Sequence, residues 1–182
     1  MSNTKSPGSA GNNGVDQHDA GTEPTATPTP RGGMGMVAAI ALIVIIADQI
    51  TKIWAVSALA DRNIIDLFWT ARFNLTYNFG SAFGLGTQLG RWLSVVIVAV
   101  VIAVLMYARH ITNRRMLVLF GAIVGGAIGN LIDRLLRAEK GFMSGGVVDF
   151  IDFQWWPIFN IADIAVVCGA FGLMVLSLRE PV

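Results

Sequence analysis

The chain has 182 residues, 54% of them hydrophobic and only 14% charged, with a net charge of +1 and a mean hydropathy of +0.61. Soluble domains carry about 25% charged residues, so this composition argues against an ordinary soluble domain and for the membrane. The near-neutral charge and the absence of a dense Lys/Arg stripe argue against nucleic acid as a partner, and a single cysteine, Cys168, excludes an intrachain disulfide framework.

Residues 1–33 are rich in Gly, Pro, Thr, Ser and Asn and show no apolar periodicity. Such a segment buries too little surface to fold and is predicted to be a disordered tail. It lacks the compact basic region and small-residue cleavage site of a signal peptide. The first apolar segment is therefore expected to stay as a membrane anchor.

A membrane helix needs about 20 apolar residues. Four segments are predicted to span: 34–59, 92–108, 116–136 and 158–178, followed by a short C-terminal tail, 179–182. The second is purely apolar; the other three carry polar or charged residues. Cys168 lies within the fourth and is expected to be a buried, inert thiol. Positive charge orients such a bundle. The loop between the second and third spans holds Arg109, Arg114 and Arg115 without an acid, and Arg31 and Arg179 fall on the same side. Both termini are thus expected to be cytoplasmic, with 60–91 and 137–157 facing outward. The outer segments do carry Arg62, Arg72, Arg91, Arg137 and Lys140, which weakens the bias without reversing it. Within 60–91, "RFNLTYN" alternates Phe73, Leu75 and Tyr77 with Asn74, Thr76 and Asn78. That period of two predicts a strand, part of a small cap on the outer membrane surface.

The polar residues of the spans reach one level. Asp48 lies about 21 Å into the first span, and Asn130 and Asp133 lie about 21–26 Å into the third, at 1.5 Å per residue. Asn160 and Asp163 stand near the start of the fourth, which runs the other way, and Asp149 lies just before it. Structural readings exist for several. Asp48 and Lys52 are spaced to pair on one helix face. Asp133 and Arg134 are adjacent and can form an ion pair or anchor a loop. Asn130 and Asn160 can bridge helices, and Gly121, Gly125 and Gly129 form a close-packing face. Asp149 and Asp163 have no local cation. If they approach each other they can share a proton, activate a water and protonate a leaving amine. A proton or ion path is the competing use. His18 and His110 are remote from this level, and no His pair with Glu stands at metal-ligand spacing, so a zinc peptidase is not indicated. A serine–lysine hydrolase built on Lys52 with Ser57 or Ser81 remains open, although Asp48 is the nearer partner of Lys52. A small proton-coupled transporter and a structural assembly factor are the non-enzymatic alternatives.

Five motifs occur in order: "DQITK" at 48–52, "NFGSAF" at 78–83, "GGAIGNLIDR" at 125–134, "GGVVDFIDF" at 145–153 and "FNIAD" at 159–163. Together they resemble the bacterial lipoprotein signal peptidase (signal peptidase II) family, over residues 34–178. The resemblance implies four transmembrane helices with a small extracytoplasmic β-cradle cap. It implies an aspartic endopeptidase of the plasma membrane that cleaves prolipoproteins before a diacylglyceryl-modified cysteine. It implies Asp149 and Asp163 as catalytic acids, with Asp48, Lys52, Asn78, Asn130, Asp133, Arg134 and Asn160 in supporting or substrate-binding roles. No metal or cofactor is implied, the partners are lipid-modified preproteins and membrane lipids, and a monomer is expected. Asp152 lies outside the family's motif positions. On an extended strand it faces away from Asp149, so it reads as a surface or structural acid. Ser81 stands where the family often has alanine.

Overall fold

The protein was analysed as a computed structural model describing residues 33–80, 88–138 and 141–179, and only the backbone of 88–91. The tail and Ser81 lie outside the described residues. Four helices and three strands follow one another as α1 (Gly33–Ala58), β1 (Ile65–Phe68), β2 (Ala71–Asn78), α2 (Gln88–Ala108), α3 (Arg114–Leu136), β3 (Val147–Asp152) and α4 (Ile161–Arg179). By length and composition α1, α3 and α4 suffice to cross a membrane, whereas the apolar stretch of α2, Trp92–Ala108, is shorter.

The helices bury an unusual face. Along α1 the buried residues are Val37, Ala41, Asp48, Lys52 and Ala55, while Leu42, Ile43, Ile46, Ile50 and Ile53 point outward. Small and polar groups inside with branched apolar groups outside is the packing of helices solvated by lipid, where close approach and interhelical hydrogen bonds replace the hydrophobic drive. α3 is central and packs against α1, α2 and α4. Its glycines permit that contact. A Cβ at Gly125 would lie 2.7 Å from the Ala41 carbonyl oxygen, and one at Gly126 would strike the Ala162 carbonyl. Cys168, expected to be buried, is instead exposed on the outer surface of α4, because the small Gly169 beside it takes the position facing Leu119 and Ile123 of α3.

The strands form one antiparallel sheet in the order β1-β2-β3. Phe73 and Phe150 seat it on the end of α1, with ring centroids 5.1 and 6.1 Å from Trp54. The β2–β3 register shifts between Phe73↔Ile151 and Thr76↔Asp149, so Asn74 and Leu75 oppose the single Phe150. Such a bulge re-aims the side chains beyond it. Arg72 before it and Asn74 within it both reach Asp152; after it, Asn78 pairs with Val147 and reaches the Asp149 carboxylate.

The fourth helix starts at Ile161, three residues later than the apolar run beginning at Ile158. The chain at 158–160 is extended, because Phe159 exchanges backbone hydrogen bonds with Ile151 of β3. That bridge ties the entrance of α4 to the strand that carries Asp149.

Candidate active site

The start of α4 is held by a reciprocal cap. The Asn160 side-chain oxygen accepts the Asp163 backbone N–H (3.0 Å), and the Asp163 Oδ2 accepts the Asn160 backbone N–H (3.1 Å). This is the capping-box arrangement, built here from Asn and Asp. A third orphan amide, that of Ala162, donates to Asp48 Oδ1 on α1 (3.0 Å). "FNIAD" is thus first a helix start, and the cap fixes the backbone that carries Asp163.

Lys52 lies below this cap with no exposure, and its three N–H groups have three acceptors: Asp48 Oδ2 (2.8 Å), Asp133 Oδ2 (2.9 Å) and Asn130 Oδ1 (2.9 Å). A buried charge needs this degree of pairing, since removing one partner leaves an uncompensated ion. Asp133 also accepts the Val148 backbone N–H (3.1 Å) and Arg137 Nε (3.2 Å). Its hydrogen-bonding partners are therefore Lys52, Arg137 and the strand, so Asp133 anchors β3, while the adjacent Arg134 feels its charge without a direct ion pair.

The two asparagines carry the network to the acids. Asn130 Nδ2 donates to Asp163 Oδ1 (2.8 Å). Asn160 Nδ2 donates to Asp149 Oδ1 (2.6 Å) and also approaches Asn130 Oδ1 (3.0 Å). Asp149 is 1% exposed. Burial first, and then the negative charge of Asp163, push its carboxyl up to about 7, against hydrogen bonds from Asn78 and Asn160 and the charge of Lys52. Asp152 behaves oppositely. Burial alone would raise it, but hydrogen bonds from Asn74 and Arg72 and the Gln154 amide outweigh that and hold it below the usual carboxylate range. It is buried rather than on the surface, in an ion pair with Arg72 at 2.7 Å, and it pins β2 to β3.

Asp149 and Asp163 line one cavity of about 330 Å³ together with Asn78, Asn130 and Arg134. The rest of its wall is apolar: Leu93, Val96, Ile97 and Val100 of α2, Ile123 and Ala127 of α3, Val147, and Val166 and Val167 of α4. Arg134 is 3% exposed, and its Nε and Nη1 have no hydrogen-bond partner among the described residues. A carboxyl pair, amide donors and an unfilled guanidinium at the end of an apolar groove can hold a polar backbone whose flanks are greasy.

The structure therefore brings eight of the nine residues singled out from the sequence into one hydrogen-bonded layer, and places the ninth, Arg134, on the wall of the same cavity. It adds Gln49, whose Nε2 donates to Asp48 Oδ2 (3.1 Å) and the Gly129 carbonyl (3.2 Å), and Arg137. The i,i+4 spacing of Asp133 and Arg137 was the available signal for the latter; Gln49 offered only its adjacency to Asp48. No group of His, Cys, Asp and Glu among the described residues is arranged to hold a metal ion.

Residues 40–179 match the peptidase A8 family, signal peptidase (SPase) II. The chain belongs to the signal peptidase II family. The lipoprotein signal peptidase of Mycobacterium tuberculosis strain H37Rv is 36% identical over 157 residues, covering 86% of this chain and 77% of that one. That of Rhodococcus jostii RHA1 is 41% identical over 140 residues, covering 76% and 70%. A bacterial membrane enzyme solved by the in meso method at 1.9 Å resolution superposes with a TM-score of 0.70 at 27% identity, covering 81% of this chain and 95% of that one. Signal peptidase II is a protease, and the apolar helices here fit a membrane enzyme.

Proposed function

We propose that this member of the signal peptidase II family is a membrane aspartic endopeptidase. It removes signal peptides from prolipoproteins by cutting before a diacylglyceryl-modified cysteine. The observation that carries this reading is that two carboxyl groups, Asp149 and Asp163, line one cavity with Asn78, Asn130 and Arg134 while the rest of its wall is apolar residues of α2, α3, β3 and α4.

In this reading Asp149 and Asp163 hold a water between them. Asp149, raised by burial and by its neighbour to about 7, carries the shared proton. Asp163, with N–H donors on both oxygens, takes a proton from the water as it attacks the scissile carbonyl. Asp149 then protonates the departing amine, which leaves the one proton of the pair on Asp163; its passage to Asp149 restores the starting state. Asn130 and Asn160 hold the carboxylates, Asn78 supports Asp149, and Arg134 offers its unfilled N–H groups to substrate carbonyls. Asp48, Lys52 and Asp133 fix the layer beneath. The groove takes the acyl chains and signal peptide from the bilayer. No step requires a metal or cofactor.

α2 serves as a fourth span, its apolar stretch of 17 residues being near the lower limit for crossing. All five tryptophans, Trp54, Trp69, Trp92, Trp155 and Trp156, belong to the sheet end of the bundle, as interfacial tryptophans do. Arg109, Arg114, Arg115 and Arg179 belong to the other end. The sheet end is accordingly extracytoplasmic, and both termini are on the cytoplasmic side of the plasma membrane.

The test is purified protein in lipid bilayers given a diacylglyceryl-modified preprotein and its unmodified counterpart. Mass spectrometry should find cleavage before the modified cysteine and none of the unmodified chain. Equal cleavage of both, or cleavage at another bond, would remove the substrate assignment.

A further inference from the structure

We propose that Lys52 is a positioning residue of the Asp149–Asp163 pair: its ammonium locks the orientation of the Asn130 amide, so that Asn130 presents its NH₂ to Asp163 and its oxygen to the Asn160 NH₂ that reaches Asp149. The inference rests on the assignment of those two acids and goes beyond it, because Lys52 is not among the residues lining the cavity.

An ammonium has only donors, whereas an amide has one accepting and one donating end. The end of Asn130 that sits 2.9 Å from Lys52 Nζ must therefore be its oxygen. That choice turns the NH₂ toward Asp163 Oδ1, 2.8 Å away. The flipped amide would set donor against donor at Lys52 and oxygen against oxygen at Asp163. The same Asn130 oxygen receives Asn160 Nδ2 at 3.0 Å. The Asn160 oxygen is already taken by the Asp163 backbone N–H at 3.0 Å, which leaves its NH₂ 2.6 Å from Asp149 Oδ1. The cation thus dictates the sense of the Asn130 amide, while the α4 cap sets that of Asn160, and the two meet at the Asn130 oxygen.

Lys52 is itself immobilised. Its other two N–H groups are on Asp48 and Asp133. Asp48 is in turn held by the Ala162 amide and Gln49, and Asp133 by the Val148 amide and Arg137. A fully buried ammonium must place its third N–H as well as the two that meet carboxylates, and here that N–H goes to the Asn130 oxygen. The third contact here is the one that leads, by two hydrogen bonds, to Asp163.

The experiment measures kcat, KM and the pH–rate profile on a lipidated preprotein for the wild-type chain, Lys52→Met, Asn130→Asp and Asp163→Asn. Lys52→Met should lower kcat by about 100-fold, the scale of losing one preorganised donor at the reacting groups, with KM little changed. The limb of the profile governed by Asp149 should move to higher pH, because the Lys52 charge acts to lower that group. Should Lys52→Met fail to fold, with Asp48 and Asp133 left unpaired, Asn130→Asp decides. It still offers an oxygen to Lys52 but sets oxygen against oxygen at Asp163, so its kcat, read on protein shown by thermal melting to be folded, should fall on the same scale. An inactive Asp163→Asn beside a folded Lys52→Met or Asn130→Asp with wild-type kcat and pH profile would overturn the relay and leave the acid pair standing. An active Asp163→Asn would overturn the pair itself.

Discussion

The two ends of the helix bundle are closed by different means. Toward the Arg109–Arg115 loop, Val37, Ala108, Leu117 and Phe120 form a buried apolar cluster, with Tyr107 edge-on to Phe120 at 5.7 Å. The sheet end has an apolar cluster too, Ala55, Leu59, Val148 and Phe150, but beside it Asp48, Lys52, Asp133, Asp149 and Asn160 are also buried, and every one of these five is partnered. An apolar contact is non-directional and tolerates a neighbour of similar volume. A buried polar network does not, because each lost partner strands a charge or a donor. The first end sets how well the bundle holds together; the second sets where a few atoms lie to within a fraction of an ångström.

Substitutions should separate the two ends sharply. After the two acids, the largest effect belongs to Asn160, which caps α4 and donates to Asp149. Asn160→Leu should lower kcat on the order of 100-fold, equivalent to about 2.7 kcal/mol. It should also lower stability by about 0.5–2 kcal/mol for the lost cap, read as a shift in thermal or denaturant midpoint.

The pH dependence comes next. A folded-state value of about 7 for Asp149 against an ordinary 3.8 means that the folded protein keeps a proton that the unfolded chain releases. This group's contribution to stability therefore falls as pH rises from about 3.8 to about 7 and is level above that. Activity that needs the proton on Asp149 should decline as pH passes about 7, and a kcat–pH profile in detergent checks the sign.

Gly129→Ala is a smaller perturbation at the polar end. Its new methyl would lie 2.6 Å from Asp48 Oδ2, displacing a carboxylate that holds both Lys52 and α4. Overpacking of this kind costs about 1–3 kcal/mol, and here kcat should fall with stability. The smallest effect is at the other end. Phe120→Leu should cost less than about 1.5 kcal/mol and leave kcat unchanged. If Phe120→Leu impaired catalysis as much as Gly129→Ala, the division of labour between the two ends would be wrong.

Much of the polar end was legible in the sequence because charge inside an apolar run is conspicuous, and because helix rise places Asp48, Asn130 and Asp163 at one level. The i,i+4 pair of Asp48 and Lys52 was equally readable. What spacing could not reveal were contacts between distant segments. Lys52 meets Asn130 across 78 residues, and Arg72 meets Asp152 across 80. Both depend on how helices and strands dock. Asp152 was read as a surface or structural acid, and its buried ion pair decides for the structural role. The late start of α4 was hidden for a related reason. Ile158 and Phe159 are as apolar as the helix that follows, and only the bridge to Ile151 and the Asn160 cap distinguish them.

The central claim is that Asp149 and Asp163 work as one acid–base pair. Single-turnover cleavage of a lipidated preprotein by Asp149→Asn and Asp163→Asn, each shown by thermal melting to be folded, tests it most directly. Both variants should lose about 100- to 10,000-fold or more in rate, the range that positioned acid–base groups contribute. A folded variant of either that cleaves at the wild-type rate would contradict it.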